Sequence, residues 1–333
     1  MESAAPKVSL LVPCCDDGRF LDEALRSAAA QTYRDFEVLI ADDASADDSP
    51  VIALAWAARD PRFRPLRNER RLGMTPNWNR ALSAARGELV AKLDADDALD
   101  PGFLAALVGE LESDPAVTVA FCRTLDCDET LAPTGAYQGD EALREAGLDP
   151  ERRHVRRGLD WLPLAFTGRQ LWTSNAQLHR RSELLAASGW DERWLSSDTE
   201  LIYRVLERDR PVAHHPLLGI RYRRRTGSHR DGVNRRGWAI FEGVLLPLRS
   251  LERVRGRLGT RSRRVRFNWW RLWSALAALR RDERLWAELP PELRRVYETE
   301  IAALRPPPAH VRWRESARLR AWKLLERMRG AVA

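Results

Sequence analysis

Val90-Ala91-Lys92-Leu93-Asp94-Ala95-Asp96-Asp97, residues 90–97, runs an apolar strand straight into three carboxylates within four residues. Crowding like charges at a strand tip is costly, because one ionised carboxylate raises the pKa of its neighbour. A divalent cation offsets that cost. Mg²⁺ and Mn²⁺ favour such oxygen ligands and leave coordination positions open for phosphate oxygens. The stretch predicts a site for a metal and a phosphorylated ligand. Alone it fits a solvated Asp-rich turn equally well, so its neighbours decide.

Upstream, Val8 to Val12 is an apolar run closed by Pro13, the pattern of a buried strand. Phe20, Leu21, Ala24, Leu25 and Ala28 then recur at helical spacing. Phe36 to Ile40 predicts a second strand ending on Asp42-Asp43-Ala44-Ser45, with a helix through Val51, Ile52, Leu54 and Ala55 behind it. Phe63 to Arg67 is a weaker third strand. Thr75 with Pro76 reads as an N-cap and first-turn proline for a helix through Trp78, Leu82 and Ala85. Leu89 to Leu93 is a fourth strand, and Asp100-Pro101 opens a helix carrying Phe103, Leu104, Leu107 and Leu111. Val117 to Cys122 is a fifth strand. This alternation predicts an α/β fold, a mostly parallel sheet with helices on both faces. Such sheets bind ligands beyond the carboxyl ends of their strands. Three of those ends carry polar groups: Pro13-Cys14-Cys15-Asp16-Asp17, Asp42-Asp43-Ala44-Ser45 and Asp94-Ala95-Asp96-Asp97.

From Thr124 to Gly168 the pattern dissolves into loops and short helices. Leu171 to Leu178 alternates like a strand, and Asp198 to Glu207 reads as a helix with Leu201, Ile202, Val205 and Leu206 inward. Beyond Gly237 the texture turns to Arg, Leu and Trp. Val265, Trp269, Leu272, Leu276 and Leu279 mark one face of an amphipathic helix. Arg305-Pro306-Pro307-Pro308 breaks the chain before a last helix with Ala317, Ala321, Leu324 and Met328. Two domains are expected, 1–235 and 236–333. Charge divides similarly: the formal +7 of the 333 residues splits into +14 for 235–333 and −7 for 1–234. A basic module suits an anionic membrane surface, an acidic substrate or nucleic acid. No nucleic-acid motif accompanies it, so nucleic acid is not expected as a partner.

A hydrophobic content of 44% is enough for one large core or two unequal ones. Cys14, Cys15, Cys122 and Cys127 fit neither a disulfide framework nor a paired zinc motif, which predicts a reducing, cytoplasmic setting. No secretory signal is read in Met1 to Pro6, and no apolar run reaches the roughly 18 residues a membrane span needs.

The segments "KVSLLVPCCDDGRFLDEALRSAAAQTYRDFEVLIADDAS", "NERRLGMTPNWNRALSAARGELVAKLDADD", "SSDTELIYRVLE" and "YRRRTGSH" follow one another in order from Lys7 to His229. Together they resemble the family-two nucleotide-sugar glycosyltransferases, whose fold is the Rossmann-like GT-A sheet. The resemblance implies a nucleotide diphosphate sugar donor, a glycan or glycoconjugate acceptor, and Mn²⁺ or Mg²⁺. It places Pro13 and Asp43 beside the donor's nucleobase, Asp94 towards the ribose and Asp96 on the metal. Asp198 takes the position of the general base, and Arg225 falls where the family often has a His that meets diphosphate or acceptor. Departures are Cys14-Cys15 for the commoner Tyr-Asn, Trp78 where a basic residue often contacts phosphate, and Ser197 for the usual acid before Asp198.

Glycosyl transfer expels a doubly charged leaving group, so a cation at the diphosphate lowers the barrier. A carboxylate within ~2.6–3.2 Å of the acceptor hydroxyl takes its proton. Attack opposite the leaving group predicts inversion. Polysaccharide or glycoconjugate synthesis is the expected setting, in the cytoplasm or at the inner face of a membrane touched by the C-terminal helices. The alternatives have their own tests. Asp198 is also a natural N-cap, Asp42-Asp43 an Asx-type turn, and His214-His215 a structural pair whose side chains point to opposite faces of a strand. A haloacid-dehalogenase phosphatase would want Thr or Val at Ala98. An EF-hand loop would want Glu at Ala105. The tail's Trp269, Trp270, Trp273 and Trp286 fit a helical pair docked within the protein as well as a membrane or acidic acceptor. A degenerate GT-A module serving as a scaffold is the non-enzymatic reading.

Overall fold

The computed structural model describes residues 5–166, 171–226, 238–258 and 263–306, and these fall into two compact units. The first comprises 1–165 and 169–228, the second 166–168 and 229–333.

In the first unit, β1 (Val8–Cys14), α1 (Gly18–Ala29), β2 (Phe36–Asp42), α2 (Ser49–Arg59), β3 (Phe63–Arg67), α3 (Met74–Ala84) and β4 (Leu89–Lys92) alternate as expected. A two-residue β5 (Ala98–Leu99), α4 (Phe103–Ser113) and β6 (Val119–Cys127) follow. Then come β7 (Pro133–Gln138), α5 (Asp140–Glu145), β8 (His154–Arg157), α6 (Gly158–Ala165), β9 (Gln177–Arg180), α7 (Arg181–Ala186), α8 (Ser197–Glu207) and β10 (Pro211–Arg223).

The sheet runs β3-β2-β1-β4-β9-β6-β10-β5, with β7 on β6 and β8 on β10. Parallel pairing joins β3, β2, β1 and β4, and separately β6 and β10. Antiparallel β9 sits between the two sets, paired with β4 on one side and β6 on the other. Six strands therefore point one way, and the sheet is mostly parallel.

All seven residues of β1 and of β2 are buried, which is why both read as continuous apolar runs. One face packs Val8, Leu10, Val12, Val38, Ile40 and Leu89 against Leu21, Leu25 and Ala28 of α1 and Phe103, Leu104 and Leu107 of α4. The other face meets α3, where Asn77 Nδ2 donates to the Ala41 carbonyl and Lys92 lies under Trp78.

Several expectations shift. Thr75 is not the cap of α3. Gly73 is, with φ +97°, and Thr75 sits inside the first turn. The strand expected over 171–178 is confined to Gln177–Arg180, because only that part reaches β4 and β6. The irregular stretch 124–168 contains β7, β8, α5 and α6.

The second unit contains α9 (Trp238–Leu258), α10 (Arg263–Leu279), α11 (Glu283–Ala287) and α12 (Pro291–Ala303). Phe241, Leu245, Trp269, Trp270, Leu272, Leu276, Tyr297 and Ile301 are among its buried residues. Tyr297 Oη donates to Glu242 at 2.7 Å, and Arg249 pairs with Glu300 at 2.7 Å. The helix expected around Ala317 to Met328 lies outside the described residues. Among those residues no helix is long and apolar enough to cross a membrane, and all four cysteines are free.

Candidate active site

Because β2, β1 and β4 are parallel neighbours, their tips lie side by side on one edge of the sheet. Cys14 stands opposite Asp42, and Leu11 opposite Lys92. The first two loops interlock. Asp16 N–H donates to Ser45 Oγ at 2.9 Å, and Ala46 N–H donates to Asp16 Oδ1 at 2.7 Å. Asp16 and Ala44 both hold left-handed backbone, φ 57° and 53°. An aspartate tolerates that region through local hydrogen bonds, whereas an alanine is strained there. Bonds between the tips hold the strained loops in place.

Asp43 is buried and accepts three hydrogen bonds. They come from Asn68 Nδ2 at 2.6 Å, Leu72 N–H at 2.8 Å and Gly73 N–H at 2.9 Å. Asp43 thus fastens the start of α3 to the end of β2. Three donors use three of the roughly four acceptor positions of a carboxylate. Pro13 lies buried in β1, opposite Ala41.

Beyond β4 the acidic cluster is laced by cations. Asp94 pairs with Lys92, and the Lys92 ammonium lies 4.3 Å over the Trp78 ring. Asp96 Oδ2 accepts from Arg225 Nε at 2.7 Å, while Arg225 Nη2 donates to Asp17 Oδ1 at 2.7 Å. Arg223 donates from Nε to the Asp96 carbonyl at 2.6 Å and from its backbone N–H to Asp97 Oδ1 at 2.8 Å. Both guanidiniums stack on Phe20, Arg223 at 4.6 Å and Arg225 at 5.0 Å. Burial, with the charges of Asp96 and Asp94 added, holds the Asp97 carboxyl well above the usual carboxylate range. Burial also pushes Asp17 up, against the pull of the Cys15 N–H and Arg225 and with the push of Asp96 and Asp94.

Asp198 lies in the first turn of α8, whose N-cap position is Ser196. Its Oδ1 accepts from Thr199 N–H at 2.7 Å. Beside it, Ser197 Oγ meets Thr75 Oγ1 at 2.9 Å. That bond ties the start of α8 to the start of α3, and Gly73 there is already fastened to Asp43.

Carboxylate oxygens from Asp94 and Asp96 suit a hard divalent cation. Among the described residues no group of three or more His, Cys, Asp or Glu side chains converges for a metal. Mg²⁺ is usually held by one or two carboxylates, with a ligand's phosphates completing its shell. His214 and His215 do not form a metal pair. His214 is buried, stacks on His154 and lies 3.0 Å from the Arg152 carbonyl through Nδ1, whereas His215 Nδ1 accepts from Leu217 N–H.

Asp17, Arg223 and Lys92 also belong to this constellation. Asp17 and Arg223 stand in segments already marked by their polarity. The signal for Lys92 is a charged residue inside an otherwise apolar strand. Gly227, Ser228 and His229 of the closing motif lie outside the described residues.

Residues 9–167 match the family model described as Glycosyl transferase family 2. The Streptococcus pneumoniae glycosyltransferase GlyG is 30% identical over 112 residues, 34% of this chain and 37% of that protein. The chain spans less than half the length of the curated relatives it matches. Among solved structures, S. aureus TarS 1–349 in complex with UDP-GlcNAc matches with a TM-score of 0.56 at 16% identity, over 89% of this chain and 87% of that one. The mannosyltransferase PcManGT from Pyrobaculum calidifontis, in complex with GDP-Man and Mn²⁺, matches with a TM-score of 0.52 at 18% identity, over 90% of this chain and 81% of that one. These two likenesses establish the GT-A fold. By motif, by architecture and by direct match, the segment 9–167 of this chain is similar to Glycosyl transferase family 2.

Proposed function

We propose that the chain is an inverting glycosyltransferase that moves a sugar from a nucleotide diphosphate sugar to an acceptor hydroxyl on a glycan or glycoconjugate. One observation carries this reading: Asp17, Asp94, Asp96 and Asp97 gather at the strand tips with Arg223 and Arg225 laced among them. A Mn²⁺ or Mg²⁺ ion held by Asp96 would neutralise the diphosphate as negative charge develops on it. Arg225 adds a second positive charge at the same place and donates in the fork geometry that phosphate accepts. Pro13 and Asp43 border the base, and Asp94 faces the ribose. Asp198, on a helix start pinned by Ser197 and Thr75, takes the proton of the attacking hydroxyl. Polysaccharide or glycoconjugate synthesis on the cytoplasmic side is the setting we infer, with residues 1–235 catalytic and the basic 236–333 facing an anionic surface.

UDP-, GDP- and dTDP-sugars with Mn²⁺ should be screened by thermal shift, where the right donor raises the apparent stability of the folded form. Asp198→Asn is expected to keep that shift while transfer falls by about 10²–10⁴-fold. Unchanged turnover in that variant would remove Asp198 from its role, and a screen with no stabilising donor would sink the reading as a whole.

A further inference from the structure

Lys92 is a charged residue in an apolar place. It ends β4 opposite Leu11, and it is only 3% exposed. Val90, Ala91 and Leu93 around it are buried and apolar. Desolvating an ammonium is costly unless a partner and hydrogen bonds offset it, and an apolar residue of similar volume often stabilises as well or better. Core packing alone therefore does not call for lysine here.

Its surroundings show what it does. The ammonium pairs with Asp94, whose carboxylate remains 28% exposed, and among the described residues it is the one cation within ion-pair distance of Asp94. The Trp78 ring covers the ammonium at 4.3 Å. Trp78 is itself 6% exposed and packs edge-on against Trp190 at 5.7 Å. Asn79 locks Trp190 in turn, donating to its carbonyl and accepting from its N–H, both at 2.9 Å. A buried cation on a clamped aromatic face thus grips one oxygen of a partly open carboxylate, and its position is set by α3 and the loop before α8.

We propose that Lys92 is the positioning residue for Asp94, and that the trio Trp78, Lys92 and Asp94 sets how the donor nucleotide's ribose is held. This rests on the donor-site reading above and names a determinant within it. Lys92 itself does not touch the donor. It fixes the rotamer of the residue that does.

The test is titration of UDP, GDP and dTDP, each with Mn²⁺, into wild type, Lys92→Met, Asp94→Asn and the double variant. Lys92→Met and Asp94→Asn should each weaken nucleotide binding by roughly ten-fold, and the double variant should match Asp94→Asn within about two-fold, since both remove one coupled pair. With a turnover substrate, KM should rise while kcat stays within about three-fold, a split that a simple loss of folded protein does not produce. Trp78→Leu, which removes the aromatic face and leaves Lys92 in place, supplies a milder variant if Lys92→Met does not fold. It should weaken binding by about three-fold, in line with a lost cation–π contact. Wild-type affinity in Lys92→Met or, where that variant does not fold, in Trp78→Leu would overturn the inference, as would losses that multiply in the double variant. A wild type that binds none of the three nucleotides would instead overturn the donor-site reading, and this inference with it.

Discussion

His179 shows how a single residue couples this fold to pH. It stands in β9, opposite Val90 on one side and Val119 on the other, with neither ring nitrogen hydrogen-bonded among the described residues. Burial pushes its pKa down to about 3 from 6.5. In the unfolded chain the imidazole takes up a proton below pH 6.5, while in the folded chain it stays neutral. The unfolded state then binds more protons, so the stability present above pH 6.5 is lost at up to ~1.4 kcal/mol per unit as pH falls towards 3. His179→Leu should unfold in urea at a similar or higher midpoint at pH 7 and show a flatter decline between pH 6.5 and 4. Parallel pH slopes in the two proteins would refute this. Residues of this kind differ in legibility. Asp43, Asp94 and Asp96 were readable as strand-tip acids because an apolar run followed by acids is a local signature. The setting of Lys92 was not readable, because a strand lysine looks the same in sequence whether its head reaches water or, as here, a tryptophan brought from fourteen residues upstream.

At the level of elements, α6 and α8 meet so closely that one glycine decides whether they fit. A Cβ placed on Gly158 would lie 2.1 Å from the Leu206 carbonyl oxygen, and that oxygen belongs to backbone that cannot swing aside. Gly158→Ala should therefore cost about 1–3 kcal/mol, as overpacking of a tight contact does, read as a lower urea midpoint with an unchanged slope. A variant as stable as wild type would show that α8 shifts freely. The helices themselves were well predicted where periodicity was clean. The buried face of α1 is Phe20, Leu21, Ala24, Leu25 and Ala28, as its spacing announced. His214-His215 was placed on a strand, but the extent of β10 was not read, because His214, His215 and Arg221 interrupt its apolar pattern and its register with β6 slips between His215 and Ile220. β7 and β8 pair at the margins of the sheet, and their assignment depends on partners that local sequence does not name.

For the molecule as a whole, β9 is the keystone of the sheet. Among the described residues β4 and β6 do not pair with each other, and only β9, which ends at Arg180, joins them. The segment that carries the family match stops at residue 167, before this strand begins. A fragment truncated there would leave two half-sheets, each with a naked row of N–H and C=O groups where β9 belongs. Such rows recruit strands from other chains. The fragment is expected to sediment as aggregates, whereas one that also spans β9, α8 and β10, ending at residue 228, should stay monodisperse in light scattering. During synthesis the ribosome meets the same constraint: the acids at the tips of β2 and β4 emerge early, but their platform closes only after another eighty or so residues have been made.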